Sequence, residues 1–398
     1  MSSTATPVNR PRFVTTGSTL IHIDFLLIGI VMTFLGPMLP TLEARWSLSD
    51  VRAGYLIFAE FFSSMFGMLA SGLMVGRIGY RLTLILALAL MSAGMVMLAF
   101  GPFWLGIVSV CVFGIGYGIT SPAGNLRTAE THPQRSAAAL NLINAVWGLG
   151  AMSSPFLVAA AERAHRISWF FYGTAAALMA LLLAMSLARF VPDNQVRIRR
   201  SDAGVRRWRS PMLPLVGTLF FLYVGTETSF GAWVATFARR MEPGQQAFWA
   251  MTPSFFWGAL LAGRVLAPFA LRFATETAVA RGGLTSALIG GAVIYFAHSL
   301  SAILAGSIFA GLGLASVFPI SVSLFPNWFG TSARSLSGAV FACGNIGGAV
   351  LPWIVGAIST RYHDLRTGFL VPLAGVAAML AFYLATRPPA LARAASES

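Results

Sequence analysis

The amino-acid sequence predicts an all-α polytopic membrane protein with twelve transmembrane helices in two pseudo-symmetric six-helix bundles. Three observations carry that expectation. Of 398 residues, 57% are hydrophobic and 10% charged, and the mean hydropathy is +0.74. An ordinary soluble domain carries about 25% charged residues. The apolar residues gather into twelve runs, most of them long enough to supply the roughly 20 residues that a helix needs to cross about 30 Å of hydrocarbon. Glycine and proline then recur at a fixed interval between the two halves of the chain.

In chain order the spans are expected at 18–42, 52–76, 82–100, 103–128, 137–161 and 168–190, then at 211–238, 246–272, 277–298, 301–325, 332–360 and 367–386. The polar stretch 1–17 reads as a cytoplasmic tail before a retained first helix, because the apolar run is too long for a signal-peptide core and no small-residue cleavage site follows it. The longest polar break, 191–210, carries six arginines and is bracketed by Pro192 and Pro211. It reads as a basic cytoplasmic linker between an N-terminal bundle at 18–190 and a C-terminal bundle at 211–386. A second tail occupies 387–398.

All 27 basic residues are arginine. Eighteen lie in the tails and loops of one face and eight on the other, and Arg264 falls inside a span. The arginine-rich face is therefore expected in the cytoplasm, with both termini, at the cell inner (plasma) membrane.

The halves repeat. At an offset of 197 residues, Gly114, Gly116, Pro122, Gly150 and Pro155 fall on Gly311, Gly313, Pro319, Gly347 and Pro352. At 191 residues, Gly67, Gly72 and Arg81 fall on Gly258, Gly263 and Arg272. Repeated halves place a substrate site at their interface near the bilayer midplane.

The net charge of +14 and pI near 11.2 read as membrane topology and exclude nucleic acid as a partner, since the arginines sit in short loops between spans. Cys111 and Cys343 both sit in apolar stretches and have no metal-ligand or disulfide spacing. His22 and Asp24 lie two apart and do not share a helix face. No nucleophile–base pairing stands out, so no enzyme, cofactor or metal is expected. The partners expected are a small-molecule substrate, a coupling H⁺ or Na⁺ and the lipid bilayer, around a monomer.

Carboxylates at membrane depth are the sharpest functional signal, because a charge at a helix centre costs about 2.5–3.5 kcal/mol. Glu227 lies mid-span, and Gly225, Thr226, Thr228 and Gly231 around it loosen the helix. It is the first candidate for coupling and substrate contact. Glu60, about a third of the way into the second span, reads equally as a coupling residue and as a structural one. Asp24 is expected at the cytoplasmic start of the first span as an interfacial, solvated carboxylate.

Amides come next, since they both donate and accept. Asn125, Asn141, Asn144 and Asn345 all lie in expected spans. Asn141, Asn144 and Trp147 are three apart and share a helix face. An indole there offers a flat wall for the CH face of a sugar ring, and Trp257 is a second such wall. The competing reading of the amides is interhelical hydrogen bonding, worth about 1 kcal/mol each.

The loop after the second span reads Gly72-Leu-Met-Val-Gly-Arg77-Ile-Gly79-Tyr-Arg81. It resembles the loop motif of the major facilitator superfamily, with Gly76 in place of the usual aspartate. The gating candidates are Arg77 and Arg81 in this loop and Arg264 within the eighth span; the two loop arginines read equally as positive-inside anchors.

Four stretches resemble the fucose:proton symporter-like sugar permeases of that superfamily: Phe221 through Glu227 to Trp233, Phe256 through Gly263 to Arg264, Leu140-Asn141 through Gly150 to Pro155, and Gly311 to Pro319. The resemblance implies uptake of a monosaccharide coupled to a cation. It departs at two points. The aspartate that the fucose carriers place in the first helix matches Gly36 here, and their glutamate early in the fourth helix falls near Ser121. Glu227 is then the best remaining coupling site.

These readings converge on a secondary active transporter of a small polar solute, foremost a monosaccharide, working by alternating access with H⁺ coupling. An exporter of amphipathic compounds or drugs on the same fold remains the alternative, supported by 31 phenylalanines.

Overall fold

A computed structural model describes residues 12–188, 212–243, 248–324 and 333–385. The basic linker, the second tail and all but the end of the first tail lie outside the described residues.

Among the described residues all regular structure is helical, and the twelve expected spans are present. The first is a bent pair, Arg12–Thr33 and Leu35–Trp46, turned by 41° at the break. The second and third form one run, Asp50–Leu98, broken only at Gly79 with φ 76°. A Cβ disfavours that backbone, so glycine lets spans 50–78 and 80–98 turn about a single residue. The fourth to ninth are Phe103–Thr131, Ser136–Arg163, Ile167–Leu187, Met212–Met241, Phe248–Ala270 and Glu276–Tyr295. The last three are Leu300–Ser323, Ala333–Tyr362 and Leu365–Ala385. By length and composition nine described helices can cross a membrane, and the bent pair makes ten. The break at Gly79 divides one of them, and Phe248–Ala270 completes the set.

Close helix contacts reveal the repeat. A Cβ on Gly29 would lie 2.2 Å from the Trp147 carbonyl oxygen, and one on Gly150 would lie 2.1 Å from that of Leu26. In the other half, Gly225 meets the Gly347 oxygen at 2.6 Å, and Gly347 meets the Phe221 oxygen at 1.9 Å. The first and fifth spans therefore cross as the seventh and eleventh do. Gly114 packs on Glu60 and Gly311 on Phe256, which matches the second and fourth spans to the eighth and tenth. Gly67 packs on Ile115 and Gly118, and Gly263 on Leu312 and Ala315. The structural equivalent of Gly67 is thus Gly263 rather than Gly258, a separation of 196 residues in place of 191. Arg81 is matched in its bonding, though not in register, by Arg281, 200 residues on. Arg81 donates to the carbonyls of Met185, at 3.1 Å, and Ser186 at the end of the sixth span. Arg281 donates to Tyr383 at 2.9 and 2.8 Å at the end of the twelfth.

The two halves meet through the arginine-poor side of the molecule. Arg240 donates to Asp50 at 2.8 Å, and the Val51 amide donates to Thr360 Oγ1 at 2.9 Å. Tyr55 and Trp353 stack with centroids 6.2 Å apart. Nearer mid-membrane, Ser254 donates to the Met152 carbonyl at 2.9 Å. Asn141 and Asn144, further toward the arginine-rich face on the fifth span, are exposed.

Candidate functional site

The seventh span is heavily buried. Phe220, Tyr223, Phe230 and Trp233 are all nearly sealed. Glu227 sits among them because aromatic and small residues surround it on every turn. Tyr223, one turn earlier on the same face, donates its hydroxyl to Glu227 Oε1 at 3.0 Å. Arg264 on the eighth span donates from Nη2 to the same oxygen at 3.2 Å. The pair is largely removed from solvent, with side-chain exposures of 25% for Arg264 and 12% for Glu227. Two charges at this depth are tolerable only because they neutralise one another and share hydrogen bonds. Arg264 Nε is buried and makes no hydrogen bond, so the guanidinium retains an unused donor.

Two indoles from opposite halves lie close by. Trp147 of the fifth span meets Trp257 of the eighth edge-on, with centroids 6.0 Å apart and planes at 88°. Trp257 is 8% exposed and its buried Nε1–H has no acceptor. Close backbone approach makes room for it: a Cβ on Gly231 would fall 2.6 Å from the Trp257 ring, and one on Gly36 would fall 2.4 Å from the Gly231 oxygen. Gly36, expected from sequence to match the aspartate of the fucose carriers, packs against backbone here.

The carboxylates of the first half sit differently from one another. Glu60 is 1% exposed, with a buried Oε1 lacking a partner. Tyr117 of the fourth span lies within electrostatic reach of both Glu60 and Glu227. Asp24 corrects its expectation. It is fully buried and neither carboxylate oxygen has a partner. The helix starts at Arg12, so Asp24 stands about 18 Å along it at 1.5 Å per residue.

The amides spread out. Asn125 donates to the Ser121 carbonyl at 2.9 Å and Asn144 to that of Leu140 at 2.8 Å, each within its own helix. Asn345 accepts from Ser64 at 3.4 Å and donates to Met68 Sδ at 3.3 Å, bridging the halves. Thus Glu227 joins Arg264, Trp147 joins Trp257, and Asn345 joins the second span, while Asn141 and Asn144 are exposed on the fifth. Arg77 is exposed, and Arg81 caps the sixth span within its own half. Tyr223 and Tyr117 were not singled out from sequence. The four-residue spacing from Tyr223 to Glu227 was the available signal.

The protein-family model described as Major Facilitator Superfamily matches residues 24–248. The chain is 25% identical over 353 residues to the glucose/mannose transporter GlcP of Bacillus subtilis, covering 83% of this chain and 85% of that one. It is 24% identical over 413 aligned positions to the human sodium-dependent glucose transporter 1, covering 92% of this chain and 79% of that protein. The solved fucose:proton symporter FucP of E. coli superposes with a TM-score of 0.64 at 17% identity, over 95% of this chain and 100% of that one.

Proposed function

Because the chain belongs to the major facilitator superfamily, and is a transporter rather than an enzyme, we propose that it moves a monosaccharide or related polar solute across the inner membrane by alternating access, coupled to a cation. The observation that carries this reading is the Tyr223–Glu227–Arg264 group, buried at membrane depth beside an indole pair drawn from both halves. Charged residues held in such a place mark substrate or ion pathways. Indole faces suit the CH surface of a sugar, and the free Nε1–H of Trp257 and Nε–H of Arg264 are donors for its hydroxyls. The two relatives named for glucose support the substrate class.

Glu227 is the coupling group in this reading, with Glu60 as the second carboxylate. A proton or Na⁺ that neutralises Glu227 releases Arg264, and substrate hydroxyls take the vacated bonds. Asn125, Asn141, Asn144 and Asn345 line the substrate path, and Arg77, Arg81 and Arg264 control its openings. The arginine-rich face, with both termini, is cytoplasmic. The halves are joined on the opposite face, through Arg240 and Asp50 and through Val51 and Thr360.

The test is uptake of labelled glucose and mannose into proteoliposomes under an imposed pH or Na⁺ gradient, with the parent chain and Glu227→Gln. Gradient-driven uptake that the variant loses supports the reading. Uptake indifferent to both gradients and unchanged by Glu227→Gln overturns coupling through this residue.

A further inference from the structure

The arginine-poor face holds a second polar group, distinct from the one at Glu227. Arg240 of the seventh span grips both oxygens of Asp50 on the second span, and its Nη2 also reaches Glu43 Oε2 of the first span at 3.5 Å. Ser359 of the eleventh span donates to Asp50 as well. Every one of these contacts to Arg240 or Ser359 joins one half of the molecule to the other. Beside them a cavity of about 350 Å³ is lined by Glu43, Ala44, Thr236, Arg239 and Arg240, so Glu43 has a route to the outer solution.

The two carboxylates are not equally served. Asp50 takes the two-pronged bond and the serine hydroxyl. Glu43 keeps one long bond to a guanidinium already engaged, and its Oε1 is buried with no donor at all. The other charges around Glu43 are accounted for. Arg239 reaches it only through space and lies over the Trp249 ring at 5.0 Å. Arg45 is turned away toward the carbonyls of Leu98, Ala99 and Gly101. Glu162 of the fifth span is held by the Thr41 hydroxyl.

We propose that Glu43 is a proton-binding site on the arginine-poor face, whose occupancy favours closure of the two halves there. The sign follows from the two forms. In the closed form an ionised Glu43 leaves a buried oxygen without a donor, which is costly, and protonation removes most of that cost. When the halves part, Arg240 leaves with the seventh span and Glu43 meets water, where its charge is solvated. Protonation therefore favours the closed form, and deprotonation the open one. The proton returns to the same face on reopening, so the site sets the balance of conformations by outside pH and carries no charge across. The inference rests on the alternating-access reading above.

The experiment uses the full chain in sealed vesicles with Thr236→Cys, a cavity-lining position that is 1% exposed in the closed form. A membrane-impermeant maleimide is applied from the outer face, with the rate at each pH normalised to that of unfolded protein. The parent chain, with its own Cys111 and Cys343, sets the background. Labelling of Thr236→Cys is expected to rise about tenfold between about pH 5.5 and pH 8.5. Adding Glu43→Gln should hold it low throughout, Glu43→Asp should restore the response, and Arg240→Gln should make labelling high at every pH. A flat profile in Thr236→Cys, or a pH response that survives Glu43→Gln, overturns the proposal. If labelling follows Glu43 while no sugar is taken up, the site stands and the sugar-transport reading falls. If uptake is gradient-driven while labelling ignores Glu43, the reverse holds.

Discussion

Gly36 lies so close to Gly231 that a Cβ on Gly36 would stand 2.4 Å from the Gly231 carbonyl oxygen. This contact joins the first span to the seventh across the seam between the halves, and Gly231 in turn packs on Trp257. Gly36→Ala is therefore expected to keep the halves from meeting and to abolish uptake. Gly72→Ala, where a Cβ meets nothing within 4 Å, should leave uptake as it was. Parallel measurement of uptake and of Thr236→Cys labelling checks this, and equal behaviour of the two variants would remove the seam contact as a constraint.

The Glu227–Arg264 pair makes a prediction that separates stability from transport. Breaking a buried ion pair by removing one partner costs about 3–5 kcal/mol, because the other charge is left uncompensated. Arg264→Leu should lower the thermal midpoint in detergent more than the double variant Arg264→Leu/Glu227→Gln does. Both should fail in gradient-driven uptake. If the single and double variants melt alike, the two groups are not coupled.

The indole pair should report on affinity. An aromatic contact of this kind is worth about 0.5–1.5 kcal/mol beyond its area. Trp147→Ala is then expected to raise the KM for sugar by roughly two- to tenfold with little change in maximal rate. Trp257→Phe, which keeps an apolar face and removes the Nε1–H, should show whether that donor is used. Uptake kinetics against sugar concentration decide both, and an unchanged KM in both variants would place the substrate elsewhere.

Much of the fold was legible because the bilayer demands long apolar runs and glycine demands close contact. The spans matched within a few residues, and the 197-residue offset survived because Gly114, Gly116, Gly150 and their partners all sit at helix crossings. The 191-residue offset did not survive, because Gly72 has no neighbour and its match to Gly263 reflected composition alone. Asp24 misled because its depth depends on where the helix begins, and that lay in a polar stretch with no apolar pattern to mark it. Glu227 was legible from its depth in the seventh span, yet the hydrogen bond to Arg264 depends on how two helices rotate against each other, which one sequence does not encode locally.

Arg81 and Arg281 allow the gating expectation to be weighed against a structural one. Both donate to carbonyls at the end of a span in their own half, Arg81 to Met185 and Ser186, Arg281 to Tyr383. A cation there offsets the negative end of the helix dipole and satisfies carbonyls that have no intrahelical partner. If capping is the whole role, Arg81→Gln and Arg281→Gln should each cost about 1 kcal/mol of stability, with solvent weakening the more exposed Arg81 bond, and should leave the maximal rate alike in both. If Arg81 also controls the opening on the arginine-rich face, only Arg81→Gln should change the maximal rate, since its counterpart lies outside the loop motif of Gly72 to Arg81. Thermal midpoints and uptake rates measured side by side distinguish the two, because a cap acts through stability and a gate through turnover.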